Sequence, residues 1–242
     1  SYVKPIRIDN SVVYVHKNGH NIHQLTYSET NGSNVSKDLT LQFGKWEFDY
    51  SSYPSNLKVE QLALNKDRSC IFTLFRNNDT SDSFIKSILL DQTAAVLGAS
   101  TIVLSGDKDV KSLICLPNAY TLKDNLVMLV KRTYNGTTYF SVEELHDDFD
   151  KTTLTNYENA TDISVQTAYA PVLLDCARIY AGVSVGTINH PVLKNVNAGL
   201  SALINGILYE GLSSDASGNI TLPVSGTVII VGLPFTSRIK TL

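Results

Sequence analysis

The sequence lacks several features on which common classes of protein depend. It has three cysteines in 242 residues, Cys70, Cys115 and Cys176, and no C-x-x-C pair, which disfavours a disulfide framework and a zinc site. No apolar run approaches the ~20 residues of a membrane span. Lysine and arginine are scattered, and the net charge of −3 gives no basic surface for gripping nucleic acid. These absences predict an ordinary globular chain.

Motifs of the common catalytic families are missing as well. There is no G-x-S-x-G, no P-loop and no G-x-G-x-x-G. Ser105–Asp109 begins like the repeated S-x-D-x-G-x-T-W turn of sialidase propellers, but Asp109 replaces the glycine and no tryptophan follows. The sequence therefore predicts a protein that is not an enzyme, with no catalytic, cofactor-binding or metal-binding residue and no cofactor.

The sequence does contain a succession of β-hairpin patterns. Turn residues between two apolar, β-branched runs are typical of hairpins, and Asn-Gly favours a two-residue turn. The turn centres recur at about 60-residue intervals, which suggests propeller blades with long outer loops. Helix patterns are scarce, and only Leu89–Ala99 has a composition that allows one. The three hairpins are Val12–Leu25 about Asn18-Gly19, Cys70–Phe75 with Phe84–Leu90, and Leu126–Arg132 with Tyr139–Leu145 about Asn135-Gly136.

A change of composition over Asp147–Thr167 marks a predicted domain boundary. Residues 1–150 are assigned to a partial β-propeller-like domain, and 151–242 to a small antiparallel β-sandwich or barrel. In the second domain, Gly199–Ile204 and Ile207–Leu212 flank Asn205-Gly206, and two further runs, Ile220–Val224 and Thr227–Leu233, flank Ser225-Gly226. The predicted fold class is therefore all-β, built from antiparallel hairpins.

Three histidines, His16, His20 and His23, form the most evident candidate metal cluster. With a two-residue turn at Asn18-Gly19, paired residues sum to 37, so His16 faces Asn21 and His23 faces Tyr14. His16 and His23 then lie diagonally on one face, with His20 on the other, because successive strand residues point to opposite sides. Zinc needs three or four convergent ligands, so a polar hairpin face is the favoured interpretation.

Two other groups could support carbohydrate chemistry. Glu143, Glu144, Asp147 and Asp148 could supply the paired carboxylates of a glycosidase, but Glu143 and Glu144 should point to opposite faces of their strand. Trp46 lies in the aromatic stretch Phe43–Tyr53, which could stack on a glycan or on single-stranded nucleic acid. Burial of these rings in the core or at a subunit contact is the favoured alternative.

Several segments together resemble the tail tubular protein B, or nozzle, family of short-tailed bacteriophages. They are turn and strand signatures that cover most of the chain, although thinly before Val59, and none contains a catalytic residue. The Trp-bearing strand of the family appears here as Ser83–Leu90, without tryptophan. The matching segments are Val59–Leu64, Val127–Leu145, Leu173-Leu174-Asp175, Leu193-Lys194, Asn205-Gly206, Gly218–Leu222 and Val231–Ser237.

The resemblance implies a structural virion protein of the phage tail, assembled in the host cytoplasm. It implies a ring of six copies that docks to the adaptor ring and the tail fibres. Double-stranded DNA would pass through its channel during ejection without tight binding. The family's greater length implies that this chain is an internal segment, with blades before Ser1 and after Leu242.

Two alternatives remain open. The first is a β-propeller that binds or degrades a carbohydrate on the host cell surface. The second is a secreted adhesion module, suggested by six N-x-[ST] sequons at Asn31, Asn34, Asn78, Asn135, Asn159 and Asn219.

Overall fold

The regular structure of the described residues consists of β-strands and contains no helix, which confirms the all-β prediction. The computed structural model describes residues 3–40, 57–77, 83–91, 96–117, 123–145 and 174–235. The strands are β1 (Ile6–Ile8), β2 (Ser11–Val15), β3 (Ile22–Ser28), β4 (Ser33–Asp38), β5 (Leu57–Asn65), β6 (Cys70–Asn77), β7 (Ser83–Leu90), β8 (Val96–Ile102), β9 (Lys108–Pro117), β10 (Asp124–Tyr134), β11 (Thr137–Glu144), β12 (Asp175–Asn189), β13 (Leu200–Ile204), β14 (Ile207–Leu212) and β15 (Asn219–Leu233). Accordingly, no helix that could cross a membrane occurs in this part of the chain.

The first eleven strands form three successive meanders. Sheet 1 has the order β1-β2-β3-β4, sheet 2 has the order β5-β6-β7-β8, and sheet 3 has the order β11-β10-β9. Each sheet is built from consecutive strands, as the blade of a β-propeller is, and all three predicted hairpins are present. The helix allowed over Leu89–Ala99 is wrong, because the described residues of that segment belong to β7 and β8.

The first hairpin has the predicted register but a different turn. Tyr14 pairs with His23 and Val15 with Ile22, so paired residues sum to 37 as expected. The His16 amide donates to the carbonyl of Asn21 at 2.8 Å, which closes a four-residue loop over residues 17–20. Only Gly19 of the Asn-Gly pair has a positive φ, whereas a two-residue type I′ turn requires two.

Sheet 4 contains the C-terminal strands in the order β12-β15-β13-β14. The predicted hairpin about Asn205-Gly206 is present, and both turn residues have the positive φ of a type I′ turn, 48° and 82°. The hairpin predicted about Ser225-Gly226 is wrong, because Asn219–Leu233 is one continuous strand. A Cβ on Gly226 would lie 2.3 Å from Cγ2 of Ile204, so this glycine permits a close approach of β13 and forms no turn.

The C-terminal end of β15, from Val228 to Leu233, is buried on both faces. Ile229, Val231 and Leu233 pack into one apolar cluster, while Val228 and Ile230 pack into another with Leu174. None of the described sheets closes into a barrel, which removes one of the two forms predicted for the second domain.

The chain divides into two compact units. Unit 1 comprises Ser1–Val103, Asp109–Val130 and Val142–Leu145, and its sheets 1 and 2 share a core that includes Val13, Ile22, Leu57 and Phe75. Unit 2 comprises Leu104–Lys108, Lys131–Ser141 and His146–Leu242. The boundary predicted between residues 150 and 151 lies outside the described residues and stays a prediction.

Candidate functional site

Sheet 1 carries a cluster of three rings on the face that points away from the core, formed by Tyr14, His16 and His23 and called here the ring cluster. The His16 and His23 rings stack with centroids 5.0 Å apart, and the Tyr14 and His23 centroids are 5.6 Å apart. The register of β2 and β3 produces this arrangement, because it places Tyr14 opposite His23 and His16 diagonal to it. The predicted placement of His16 and His23 on one face is confirmed.

Strand β4 adds polar groups to this cluster. The Ser36 hydroxyl lies 3.0 Å from the Tyr14 hydroxyl and 3.1 Å from Nδ1 of His23. Asp38 is paired with His23 across the strands. Its carboxylate accepts a hydrogen bond from the side-chain amide of Asn21 at 2.6 Å and one from the backbone N–H of Thr40 at 2.8 Å. The Ser36 hydroxyl therefore connects Tyr14 to His23, while His16 contacts His23 through ring stacking.

The carboxylate of Asp38 is stabilised in its charged form. Partial burial opposes ionisation, but hydrogen bonds from Thr40 and Asn21 outweigh this cost and lower the pKa of Asp38. His23 adds a smaller favourable contribution from Nε2, 3.7 Å from the nearer carboxylate oxygen. Asp38 therefore remains an ionised acceptor that fixes its neighbours at neutral pH.

The order Ser36, His23, Asp38 resembles a nucleophilic triad in residue type. A triad needs a hydrogen bond from the serine to the histidine and a second one from the histidine to the carboxylate. The first is present at 3.1 Å, but the 3.7 Å between His23 and Asp38 exceeds hydrogen-bonding distance. Of the two hydrogen bonds of a triad, this arrangement therefore contains only the first.

His20 lies in a different environment from the other two histidines. Burial and the charge of Lys58 lower the pKa of His20, so its imidazole remains neutral near pH 7. Within the part of the chain that the structure describes, no three His, Cys, Asp or Glu side chains are arranged to hold a metal ion. The three histidines are therefore not brought together as one ligand set.

The carboxylates considered for glycoside hydrolysis are only partly described. The amide of Leu145 donates to the carbonyl of Leu126 at 2.8 Å, which agrees with the register predicted from the Asn135-Gly136 turn. Glu144 is exposed and accepts a hydrogen bond from Asn125, while Glu143 points to the opposite side of β11. Asp147, Asp148 and Trp46 lie outside the described residues.

Unit 2 contains an ionic cluster around the buried side chain of Arg132. The Arg132 side chain is fully buried, and it donates to the carbonyl of Ser105 at 2.8 Å and lies 3.7 Å from Asp175. Asp175 in turn accepts hydrogen bonds from the Ser105 and Cys176 amides, and the Ser105 hydroxyl donates to the carbonyl of Pro234 at 2.8 Å. Ser105, which begins the sialidase-like turn, is therefore a structural residue in this cluster.

The same cluster joins three segments that carry the resemblance to the nozzle family. Arg132 comes from the first, Asp175 from the second, and Pro234 from the third. Gly232, two residues before Pro234, approaches Asp175 so closely that a Cβ on Gly232 would lie 2.6 Å from the carbonyl oxygen of Asp175. These residues thus take part in packing and hydrogen bonding within one unit.

Sequence reasoning missed the contribution of β4 and the Arg132 cluster. The strand Ser33–Asp38 has no hydrophobic alternation, but the Asn31-Gly32 dipeptide before it was an available turn signal. A two-residue turn at Asn31-Gly32 would have paired residues that sum to 63 and placed Asp38 opposite Leu25. The observed pairs sum to 61 and place Asp38 opposite His23, so this signal locates the strand but not its register. No sequence signal joins Arg132 to Asp175, because 43 positions separate them and only the fold brings them together.

Comparisons with known proteins do not identify a family for this chain. No family model matches the chain, and no curated protein matches it. Among solved structures it is similar to the tail fiber of Staphylococcus aureus phage P68, with a TM-score of 0.31 and 12% sequence identity. The match covers 55% of this chain and 26% of the fiber, so the chain spans about a quarter of that protein. The neighbour is a component of a phage tail, and a likeness this weak does not assign this chain to a family.

Proposed function

We propose that this chain is a structural segment of a phage tail nozzle. In this proposal it forms part of a six-membered ring around a channel, docks to the adaptor ring and the tail fibres, and lets double-stranded DNA leave the capsid. The protein would be assembled in the host cytoplasm and retained in the virion, and its role would be mechanical rather than catalytic.

The observation that supports this proposal is the Arg132 cluster. Three segments that resemble the nozzle family meet there, and they contribute the Arg132 side chain, the Asp175 side chain and the backbone carbonyl of Pro234 to contacts inside the fold. The Arg132 side chain is fully buried, so loss of its partners would leave a buried charge without compensation, which is costly. Motif residues that serve packing and hydrogen bonding within the fold are what we expect of a structural protein.

The charge of the chain supports a DNA channel that does not retain its cargo. Tight binding to DNA depends on lysine and arginine side chains that neutralise phosphates and release counterions. With 20 basic and 23 acidic residues, this chain offers no such gain. A mildly acidic channel lining would let the negatively charged DNA pass without binding it tightly.

The test is the assembly state of the complete gene product that includes this chain. Light scattering should give the mass of a hexamer, and negatively stained grids should show six-fold rings or short tubes. A stable monomer that binds or cleaves a surface polysaccharide would contradict the proposal. In that case Glu143, Glu144, Asp147 and Asp148 would be the first residues to replace.

A second candidate function, binding of a carbohydrate at the host surface, is favoured by one observation. The ring cluster lies beside exposed hydroxyl groups on sheet 1, and aromatic rings with a few fixed polar groups are typical of small-ligand sites. Binding without cleavage needs no pair of carboxylates of raised pKa, whereas a glycosidase does.

A further inference from the structure

We propose that Asn135 is the principal site of a covalent modification, in which its side-chain amide is lost spontaneously and replaced by a carboxylate. The reaction is the intramolecular deamidation to which Asn-Gly dipeptides are prone, because glycine leaves the attacking backbone nitrogen unhindered. The chain has four such dipeptides, beginning at Asn18, Asn31, Asn135 and Asn205. The inference distinguishes among these four and is independent of the proposed function.

The reaction needs a side chain that is free to turn and a backbone nitrogen that can approach it. The nitrogen of Gly136 attacks Cγ of Asn135, and the new N–C bond closes a five-membered succinimide. The proton of the Gly136 nitrogen leaves with the side-chain nitrogen of Asn135 as ammonia. Water then adds to one of the two ring carbonyls and opens the ring, which gives aspartate or, with one more atom in the backbone, isoaspartate. No oxidation takes place, and solvent water is the only other reactant.

The turn at Asn135-Gly136 leaves this reaction unobstructed. Both residues are exposed, and their φ angles of 47° and 75° are those of a type I′ turn. No described residue forms a hydrogen bond with the Asn135 side chain or with the N–H of Gly136. A Cβ placed on Gly136 would meet no atom within 4 Å, so there is space for the movement that the attack requires.

Asn205-Gly206 provides an internal comparison, because it is also exposed and forms the same type of turn, with φ angles of 48° and 82°. Oδ1 of Asn205 accepts hydrogen bonds from the backbone N–H groups of Thr227 and Val228, at 3.0 and 3.1 Å. The Thr227 hydroxyl donates a third at 3.2 Å. These bonds have to be broken before Cγ can turn towards the nitrogen of Gly206. The two turns thus share their backbone geometry and differ in how firmly the amide is held.

Asn18-Gly19 is restrained at both reacting groups. Oδ1 of Asn18 accepts hydrogen bonds from the backbone N–H groups of His20 and Asn21, at 3.0 and 3.1 Å. The N–H of Gly19, which would supply the attacking nitrogen, donates to the carbonyl of His16 at 2.8 Å. Deamidation in the folded chain is therefore expected to be slow here.

Asn31-Gly32 is an intermediate case. Both residues are exposed, and no described residue forms a hydrogen bond with the Asn31 side chain. The N–H of Gly32 donates to the carbonyl of Glu29 at 3.3 Å, which restrains the attacking nitrogen weakly. We expect its rate to lie between that of Asn135 and those of the two restrained dipeptides.

The test is incubation of the folded full chain at mildly alkaline pH, followed by tryptic digestion and mass spectrometry. Cleavage after Arg132 and Lys151 releases residues 133–151, in which Asn135 is the only Asn or Gln, so the mass gain of amide-to-acid conversion identifies the site. Fragment ions locate the change in the peptides that contain the other three dipeptides. Asn135 should convert at least about tenfold faster than Asn18 and Asn205, a difference of about 1.4 kcal/mol in activation free energy. In concentrated urea all four should convert at similar rates, because the fold alone separates them.

The matched control is Asn135→Gln, because attack on the longer side chain would have to close a less favourable six-membered ring. Residues 133–151 of this variant should keep their mass. Hydroxylamine, which attacks the succinimide, should cut the folded unaltered chain between Asn135 and Gly136 and leave the variant uncut there. The proposal is overturned if residues 133–151 of the folded unaltered chain keep their mass, if Asn18 or Asn205 converts as fast as Asn135, or if Asn31 converts faster.

Discussion

Replacing Gly232 with alanine should destabilise sheet 4. The added Cβ would lie 2.6 Å from the carbonyl oxygen of Asp175, which is 0.8 Å short of the 3.4 Å at which ordinary contact begins. It would also lie 3.0 Å from Cα of Ala177 and from Cβ of Leu174. These neighbouring atoms are backbone or fixed to it, so no side-chain rotation can relieve the overlap.

The magnitude follows from the cost of overpacking. Extra methyl groups in well-packed interiors cost about 1–3 kcal/mol. Because β12 itself has to move away from β15, we expect a loss of about 2–3 kcal/mol in the free energy of unfolding. For a chain of this size each kcal/mol lowers Tm by about 2–4 °C.

The assay is urea denaturation followed by far-UV circular dichroism, with a thermal scan for Tm. The matched control is Gly186→Ala in β12 of the same sheet, where the new Cβ would lie 3.6 Å from Oγ of Ser225, an ordinary contact. This control should stay within about 0.5 kcal/mol of the unaltered chain. If Gly232→Ala behaved like Gly186→Ala, the close approach of β12 to β15 would be refuted.

Three further predictions concern single side chains. Arg132→Met should cost about 1–3 kcal/mol in urea denaturation, because the partly buried carbonyl of Ser105 loses its donor; an unchanged midpoint would show that Arg132 adds nothing. Burial raises the pKa of the Cys115 thiol to about 12, so at pH 8 only about one thiol in ten thousand is the reactive thiolate. Mass spectrometry after treatment with a thiol reagent should therefore find Cys115 unmodified until the chain is unfolded, and rapid native labelling would contradict this. The pKa of Asp109 is lowered, since hydrogen bonds from Lys111 and Arg76 outweigh its partial burial. The resulting stability is present above the unfolded pKa of about 4 and is lost as pH falls through the lower folded value. Asp109→Asn should flatten the fall in Tm between about pH 4 and pH 2, and an unaltered pH profile would count against this ion pair.

The sequence by itself determined the fold class and much of the strand pairing. Alternating and β-branched runs bounded by Asn-Gly turns predict hairpins because both signals are local, and each is set by residues within a few positions of one another. The register that pairs Tyr14 with His23 followed from the turn position alone, and it correctly put His16 and His23 on one face. The register of β10 and β11 was obtained in the same way.

Local signals failed where a residue serves a distant contact. Ser225-Gly226 has the composition of a turn, but Gly226 is needed so that Ile204 of β13 can approach β15 closely. The Asn18-Gly19 pair was assigned a two-residue turn, whereas the hydrogen bond between His16 and Asn21 closes a longer loop in the same register. In both cases the glycine-containing dipeptide does mark a special point of the backbone, but the two-residue turn predicted there is not formed.

The candidate sites depended on the tertiary structure. Ser36 and Asp38 lie beside the ring cluster only because β4 pairs with β3. The sequence of β4 has no hydrophobic pattern from which this strand could be predicted. Arg132, Ser105 and Asp175 meet because three distant segments fold together, and a buried charge can be kept only where such partners surround it. Hairpins can therefore be predicted from the sequence, because their paired strands are neighbours in the chain. The sites cannot, because their residues become neighbours only after folding.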